Sequence, residues 1–292
     1  RYSFIEQVLV NFSRALPWST PYEFHYYQAK RVQREIIQAA GKEYDLLFWV
    51  LSSHLTFLSK VKRTLGIKKV ILDFIDSPSL LKQRRMFLKD KQNLLDFIEF
   101  WKMKRWERNI WKSVNQVLYI SNVDASTPGI INENVDVIPN GVNIEDYITG
   151  TNILHSGMTL GYLGNMSYKP NVEAVLRLYN DIFVKLDDKS IKLLIIGREP
   201  NSQIQALSDD PRVIVTGAVE NIWDYVNSVD VFALPILSGA GLKNKVLEIM
   251  YAGKPLLTTR IGNDGIDAKD SKHLYLCQTD QQFVDRINQL FL

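Results

Sequence analysis

Short apolar runs alternate with helix-compatible stretches along most of the chain. In the first half, such runs occupy residues 44–51, 68–76, 115–121 and 135–141. In the second half they recur at 158–164, 191–197, 212–217, 229–235, 254–259 and 273–277. Runs that are apolar on both faces are typical of parallel strands that helices cover on both sides. The pattern therefore predicts an α/β fold with two parallel sheets.

This alternation is interrupted at one place. The stretch "EDYITGTNILHSG", residues 145–157, is polar and contains glycine, and no comparable break in the βα pattern occurs elsewhere. We therefore predict two domains, residues 1–149 and residues 150–292.

Length and composition fit two globular cores. The chain has 292 residues, of which 46% are apolar and 23% are charged. The single cysteine, Cys277, has no internal partner for a disulfide, and no leader peptide is evident. No apolar run approaches the roughly 18 to 20 residues that span a bilayer. We expect a cytoplasmic protein that does not cross a membrane by itself.

Positive charge is concentrated in residues 81–113. Ten basic residues meet four acidic ones in this segment, within a chain of net charge +3. Six aromatic residues are interleaved with them: Phe87, Phe97, Phe100, Trp101, Trp106 and Trp111. This composition favours peripheral contact with an anionic membrane. The alternative is a core-packed helix pair with one solvated basic face. We expect no nucleic-acid partner, because no recognised nucleic-acid module accompanies the segment.

Residues 238–255, "SGAGLKNKVLEIMYAGKP", are candidates for binding chemistry. They follow a predicted strand and begin a predicted helix. Ligands of open α/β sheets bind beyond the carboxyl ends of strands, where a helix amino terminus offers free N–H groups. Gly239 and Gly241 let the backbone approach an anion such as phosphate, and Lys245 adds a full positive charge.

Glu248 lies one turn further along the same predicted helix. Among its apolar neighbours its carboxylate needs partners, and two vicinal ribose hydroxyls are suitable donors. The alternative interpretation is an exposed ion pair between Lys245 and Glu248, which are i,i+3 neighbours.

Four segments together resemble the retaining nucleotide-sugar glycosyltransferases of family 4, which have the GT-B fold. They are "LGNMSYKPNVEAVLRLYNDIF" (163–183), "VIPNGVN" (137–143), "VILDFIDSPSL" (70–80) and the stretch from "TGAVENIWDY" to "RIGNDGI" (216–266). The resemblance covers nearly the whole chain and is most specific at 216–266. It implies two Rossmann-like domains whose parallel sheets face across a cleft. It also implies that this sequence lacks the start of the N-terminal domain and the C-terminal crossover helices.

By this resemblance, the second domain binds the donor sugar nucleotide. Glu248 contacts the ribose, and Lys245 contacts the diphosphate, with help from Lys243. The implied backbone contacts to the diphosphate are Gly239, Ala240, Gly241, Leu242, Gly164 and Asn165, and the implied neighbours of the base are Gly197, Arg198, Gly217, Ala218 and Val219. Arg198 has an alternative interpretation as a solvated surface residue.

Two positions of the donor site depart from the family pattern. Ala240 stands where relatives often have an acidic residue that contacts the donor sugar. Asn165 stands where many relatives have arginine, so neutralising the diphosphate depends more on Lys245.

On the acceptor side, Ile75 stands where many relatives have histidine. We therefore consider Asp76 first, then Asp73 and His54, as the catalytic or orienting residues. The alternative for both aspartates is that they cap a strand-to-helix turn with Ser77.

The resemblance implies a retaining glycosyltransferase. It would move a sugar from a UDP- or GDP-linked donor to a growing cell-surface polysaccharide or lipid-linked acceptor, at the inner face of the cell membrane. We expect no metal and no cofactor, because the four histidines and the one cysteine show no metal-ligand spacing. Two alternatives are a sugar-nucleotide epimerase of the same fold and a degenerate, nucleotide-binding partner subunit. Ala240, Asn165 and Ile75 favour the degenerate subunit.

Overall fold

The computed structural model describes residues 38, 44–50, 55, 58–87, 93–143, 157–266 and 268–291. The chain forms two compact units, Arg1–Pro139 (unit 1) and Asn140–Leu292 (unit 2). Of the segment 145–157, where we predicted the domain boundary, residues 145–156 lie outside the described residues.

Unit 1 contains a sheet of four parallel strands in its described part. The strands are β1 (Leu46–Val50), β2 (Lys69–Ile75), β3 (Gln116–Tyr119) and β4 (Val135–Val137), in the order β1–β2–β3–β4. The helices are α1 (Leu58–Thr64), α2 (Pro78–Phe87), α3 (Leu94–Trp111) and α4 (Asn122–Ser126). We expected the run at 44–51 to be covered on both faces, and this was wrong for one face. Leu46, Phe48 and Val50 are exposed, because β1 lies at the edge of the described sheet and pairs only with β2.

Helix α3 has an unusual distribution of polar and apolar residues. It begins at the N-cap Asn93, whose side chain accepts a hydrogen bond from the Asp96 N–H. In its first half, Asp96, Glu99 and Lys102 are buried. The large apolar side chains Leu94 and Trp101 are exposed. Among the residues described, none of the helices combines the length and the hydrophobicity that crossing a bilayer requires.

Unit 2 contains a sheet of six parallel strands in its described part. They are β5 (Thr159–Leu163), β6 (Lys192–Ile196), β7 (Val213–Val215), β8 (Val231–Leu234), β9 (Leu256–Thr258) and β10 (Tyr275–Leu276). The helices are α5 (Lys169–Arg177), α6 (Ser202–Gln205), α7 (Ile222–Asn227), α8 (Asn244–Tyr251) and α9 (Asp280–Phe291). Strand β5 is buried at every position, as expected for a strand with helices on both faces.

The order of strands in unit 2 places a ligand-binding edge. Neighbouring strands follow the order β10–β9–β8–β5–β6–β7. Numbered within the unit, this is the 3-2-1-4-5-6 order of dinucleotide-binding sheets. The chain reverses its direction of travel between β5 and β8, so the loops that follow these two strands diverge and leave a crevice. The predictions of ten strands and of two parallel sheets are confirmed.

Glycine at position 197 holds the loops after β5, β6 and β7 together. A Cβ atom on Gly197 would lie 1.7 Å from the carbonyl oxygen of Gly164. Gly197 also forms an isolated β-bridge with Gly217. The backbone φ of Gly197 is 153° and that of Gly217 is 67°. No side chain fits at Gly197, whereas the space around Gly217 is open.

These two glycines give a matched pair for a stability test. Gly217→Ala is expected to cost about 1 to 2 kcal/mol, the price of a left-handed conformation with a Cβ. Gly197→Ala adds a clash with the Gly164 carbonyl and is expected to lower the free energy of unfolding by more than about 3 kcal/mol. Urea unfolding followed by circular dichroism measures both values. Equal losses would show that the loops after β5 and β6 are not held by this contact.

Candidate functional site

Two helices begin at the crevice of unit 2, and neither has a side-chain cap. Helix α5 follows the loop after β5, and α8 follows the loop after β8. By contrast, the side chains of Asn201, Asn221 and Thr279 accept hydrogen bonds at the starts of α6, α7 and α9. Helix amino termini present unsatisfied N–H groups and partial positive charge. The uncapped pair therefore gives this edge an affinity for anions.

The side chain of Lys245, in the first turn of α8, extends between these two helices. Its Nζ donates to Asn171 Oδ1 at 2.6 Å and to the Tyr162 hydroxyl at 3.1 Å. It also lies 4.7 Å from the centre of the Tyr162 ring. A Cβ on Gly164 would lie 3.0 Å from this Nζ, so the absent side chain at Gly164 makes room for the ammonium group.

The surroundings of Lys245 disfavour its charged form. Burial, and to a lesser degree the nearby charge of Lys243, lowers the pKa of Lys245 from 10.5 to about 7, against a smaller opposing effect of Glu248. A cation placed beside another cation and a helix amino terminus is unfavourable unless an anion joins it. The site is therefore electrostatically incomplete without a negatively charged ligand.

Glu248 lies one turn along α8 from Lys245 and is half-buried. Burial raises the pKa of its carboxyl, and the charge of Lys245 partly offsets that effect. The two side chains do not form an ion pair, because the Lys245 ammonium is directed to Asn171 and Tyr162 instead. Within the described part of the chain, no hydrogen bond to the Glu248 carboxylate is found, so it can accept hydrogen bonds from a ligand.

The loop between β8 and α8 is buried and fixed from several sides. Gly239 and Gly241 have positive φ angles of 113° and 69°. The hydroxyl of Thr259 donates to the carbonyl oxygen of Ile236 at 2.6 Å. Arg177, from α5, donates to the carbonyl oxygen of Pro235 at 3.1 Å. A preformed glycine loop of this kind can present backbone N–H groups to a ligand without ordering cost.

The structure brings the donor-binding residues predicted from the sequence to the same edge of unit 2. These residues follow β5 (Gly164, Asn165), β6 (Gly197, Arg198), β7 (Gly217, Ala218, Val219) and β8 (Gly239, Ala240, Gly241, Leu242, Lys243), or lie in α8 (Lys245, Glu248). Lys243 Nζ donates to the carbonyl oxygen of Ala240 at 2.8 Å. Arg198 is exposed, while its carbonyl oxygen accepts a hydrogen bond from the Met166 N–H.

The predicted acceptor-side residues differ in their surroundings. Asp76 is exposed, immediately after β2. Asp73 is half-buried, and its Oδ1 accepts a hydrogen bond of 2.9 Å from the Ile75 N–H. Ser77 caps α2, because its hydroxyl accepts from the Leu80 N–H at 3.1 Å. His54 lies outside the described residues.

Sequence reasoning missed Asn171 and Tyr162, the two residues that hold Lys245. Asn171 is buried, and its Nδ2 donates to the carbonyl oxygen of Asn165 at 2.8 Å, which ties the loop after β5 to α5. Tyr162 is fully buried in β5. A tyrosine hydroxyl in a buried strand needs a polar partner, which was the available signal.

Among the described residues, no three His, Cys, Asp or Glu side chains are grouped so that they could hold a metal ion. That the reaction needs no metal and no cofactor stays a prediction.

Comparison with known proteins places unit 2 in a class. Residues 157–292 match the family model of the glycosyl transferases group 1. This part of the chain is therefore a group 1 glycosyl transferase domain. The parallel sheets of the two units match GT-B glycosyltransferase structures. No curated protein shows a significant sequence match.

Three solved structures illustrate the likeness in fold. TarM from S. aureus has a TM-score of 0.65 and 14% identity, over 88% of this chain and 50% of that chain. HepE from Anabaena, in complex with UDP-glucose, has a TM-score of 0.65 and 14% identity, over 99% of this chain and 86% of that chain. A glycosyltransferase from Rickettsia africae has a TM-score of 0.63 and 14% identity, over 89% and 69%. The chain thus spans about half the length of TarM.

The low pKa of Lys245 predicts how stability varies with pH. The unfolded lysine keeps its proton up to about pH 10.5, whereas the folded one loses it near pH 7. The burial penalty is therefore complete below pH 7, and it disappears as the pH rises toward 10.5. Its slope has an upper limit of about 1.4 kcal/mol per pH unit.

Lys245→Met, which cannot titrate, removes this gain. The unfolding midpoint of the wild type, measured by calorimetry, is expected to rise relative to that of Lys245→Met between pH 6.5 and pH 9. A constant difference between the two proteins over this range would contradict a depressed pKa at Lys245.

Proposed function

We propose that this chain is a retaining glycosyltransferase that uses a nucleoside-diphosphate sugar bound in unit 2. The acceptor is a growing cell-surface polysaccharide or a lipid-linked sugar. The observation that carries the proposal is the Lys245 ammonium, held by Asn171 and Tyr162 between two uncapped helix termini. A diphosphate supplies the negative charge that this arrangement lacks.

The contacts of unit 2 assign each part of the donor. Lys245 and the backbone of the Gly239–Leu242 loop bind the diphosphate, where negative charge increases as the nucleotide leaves. Glu248, with no hydrogen-bond donor on its carboxylate among the described residues, accepts hydrogen bonds from the ribose hydroxyls. The loops at Gly197 and Gly217 flank the base.

UDP is the first nucleotide to test. HepE was crystallised with UDP-glucose, and the pneumococcal O-GlcNAc transferase GtfA with UDP and GlcNAc. Both resemble this chain in fold at 14% and 12% identity, so they guide the choice of donor. GDP-linked sugars are the second class to test.

In the transfer, the bond between the anomeric carbon and the diphosphate oxygen breaks, and the acceptor oxygen bonds to the same face. The nucleoside diphosphate leaves as an anion that Lys245 stabilises. The acceptor hydroxyl passes its proton to a leaving phosphate oxygen, and Asp76, exposed after β2, orients this hydroxyl.

Contact with an anionic membrane, at the inner face of the cell membrane, is a further part of the proposal. Leu94, Phe97 and Trp101 form an exposed apolar stripe along α3, with relative exposures of 74%, 39% and 62%. The basic residues Lys104 and Arg105 follow one turn later, and Lys104 Nζ lies 5.4 Å from the centre of the Trp101 ring. An apolar stripe bordered by basic side chains suits the interface of an anionic bilayer.

Calorimetric titration of the intact chain with UDP, GDP, UDP-glucose and GDP-mannose tests the donor site. We expect one nucleoside diphosphate to bind. Glu248→Ala and Lys245→Ala should each weaken this binding by roughly 10-fold to 100-fold, as expected for lost charged hydrogen bonds. Lys254→Ala is the matched control, because Lys254 is a half-buried lysine that donates to the carbonyl oxygen of Asn227, at the start of β9. It should leave the affinity unchanged.

The other outcomes of this titration separate the alternatives. Absence of binding, or equal losses in the control, would contradict the donor site. Binding without any transfer to an acceptor would favour a degenerate partner subunit. Conversion of the bound donor to an epimeric sugar nucleotide without an acceptor would favour an epimerase.

Vesicle sedimentation tests the membrane contact. The intact chain should bind vesicles that contain equal parts of phosphatidylglycerol and phosphatidylcholine more tightly than vesicles of phosphatidylcholine alone, and added salt should weaken that binding. Trp101→Ser should reduce it roughly tenfold, through the loss of buried apolar area. Ile130→Ser is the control, because Ile130 is 90% exposed but lies outside α3. Equal binding by the Trp101 variant and the control would contradict the assigned surface.

A further inference from the structure

The carboxyl end of β2 has a strained backbone. Pairing of β2 with β3 shifts register between Asp73 and Ile75, which marks a β-bulge. Ile75 then has a φ of 61°, in the left-handed region. A β-branched residue there is costly, of order 1 to 3 kcal/mol, and persists only where the surrounding structure fixes it. Asp76 is the next residue, so this strain sets the direction in which Asp76 is presented.

A buried group of hydrogen bonds fixes the residues immediately after Asp76. The Oε2 atom of Glu107 accepts from the Ser79 N–H at 3.1 Å and from the Ser77 hydroxyl at 3.2 Å. The Ser77 N–H donates to Asp124 Oδ1 at 2.8 Å. Both serines and both carboxylates are buried. Two carboxylates, from α3 and α4, thus hold the turn that joins β2 to α2.

The cost of Glu107 argues against a purely stabilising role. It is fully buried, and its other oxygen accepts from the Tyr119 hydroxyl at 2.7 Å. The partners that the structure gives it are neutral. Burial raises the pKa of Glu107 to about 7, although four hydrogen bonds act in the opposite direction. Well-packed apolar residues commonly stabilise a fold better than a buried charge does.

We propose that Glu107 is a positioning residue, which clamps the Ile75–Ser79 turn and thereby fixes the direction of Asp76. The clamp follows from the geometry of unit 1 alone. Its consequence for transfer rests on the proposed function, in which Asp76 orients the acceptor hydroxyl. The contribution of Glu107 is indirect, because its carboxylate is sealed beneath the turn.

Hydrogen exchange of the intact chain tests the clamp. In Glu107→Gln, a single amide oxygen cannot serve both Tyr119 and the serines, so exchange in residues 76–80 is expected to accelerate about tenfold. Glu99→Gln is the matched control, because Glu99 is a buried carboxylate on the same helix that binds Lys102 at 2.6 Å instead. Unchanged exchange at 76–80, or the same acceleration in Glu99→Gln, would overturn the clamp. Should Glu107→Gln fail to fold, Ser77→Ala removes the connecting hydroxyl and is expected to accelerate exchange at 78–80.

A kinetic double-mutant cycle tests the positioning of Asp76. The readout is UDP release from UDP-glucose with water as acceptor. Glu107→Gln is expected to lower kcat about tenfold with an unchanged KM, and to add no further loss in an Asp76→Asn background. An equal loss in both backgrounds would overturn the positioning role. If the wild type releases no UDP, the proposed use of UDP-glucose fails, and the exchange result alone decides the clamp.

Discussion

The arrangement of unit 2 depends on one constraint: a lysine ammonium is kept where nothing in the described protein neutralises it. Asn171 and Tyr162 supply dipoles to Lys245, but only an anion can supply the missing charge. The reversal of strand order brings α5 and α8 together, and their uncapped termini add to the positive potential. Strand topology, the missing caps and the glycine at 164 therefore all serve the same group.

Both units place costly features beyond the carboxyl ends of their strands. Unit 2 has the depressed Lys245 and the glycine loop after β8, and unit 1 has the strained Ile75 and the buried Glu107. The amino-terminal halves of the same strands are apolar and buried, as in β5. Strain and buried charge are thus confined to the edge where ligands of parallel sheets bind, and the cores beneath supply the stability that offsets them.

The sequence predicts the sheets far better than the contacts of the site. All ten strands were found from apolar runs, since a buried parallel strand needs apolar residues on both faces. The run of β1 was misjudged on one face, because edge position is a property of the sheet and is invisible in the run itself. Asn171 lies 74 residues from Lys245, so no local pattern connects them. Glu107 likewise reads as one more charge in a basic helix, although it is fully buried.

Helix α3 shows why periodicity alone could not settle its role. Its exposed stripe begins with Leu94 and Trp101, and its buried stripe runs from Asp96 to Glu107. A helix that only packed on the sheet would reverse these two stripes, because burying carboxylates and exposing tryptophan both raise the free energy of the folded state. The reversal is understandable if each stripe has a separate task. The carboxylate at 107 fixes the turn before α2, and the apolar stripe is reserved for a surface outside the chain.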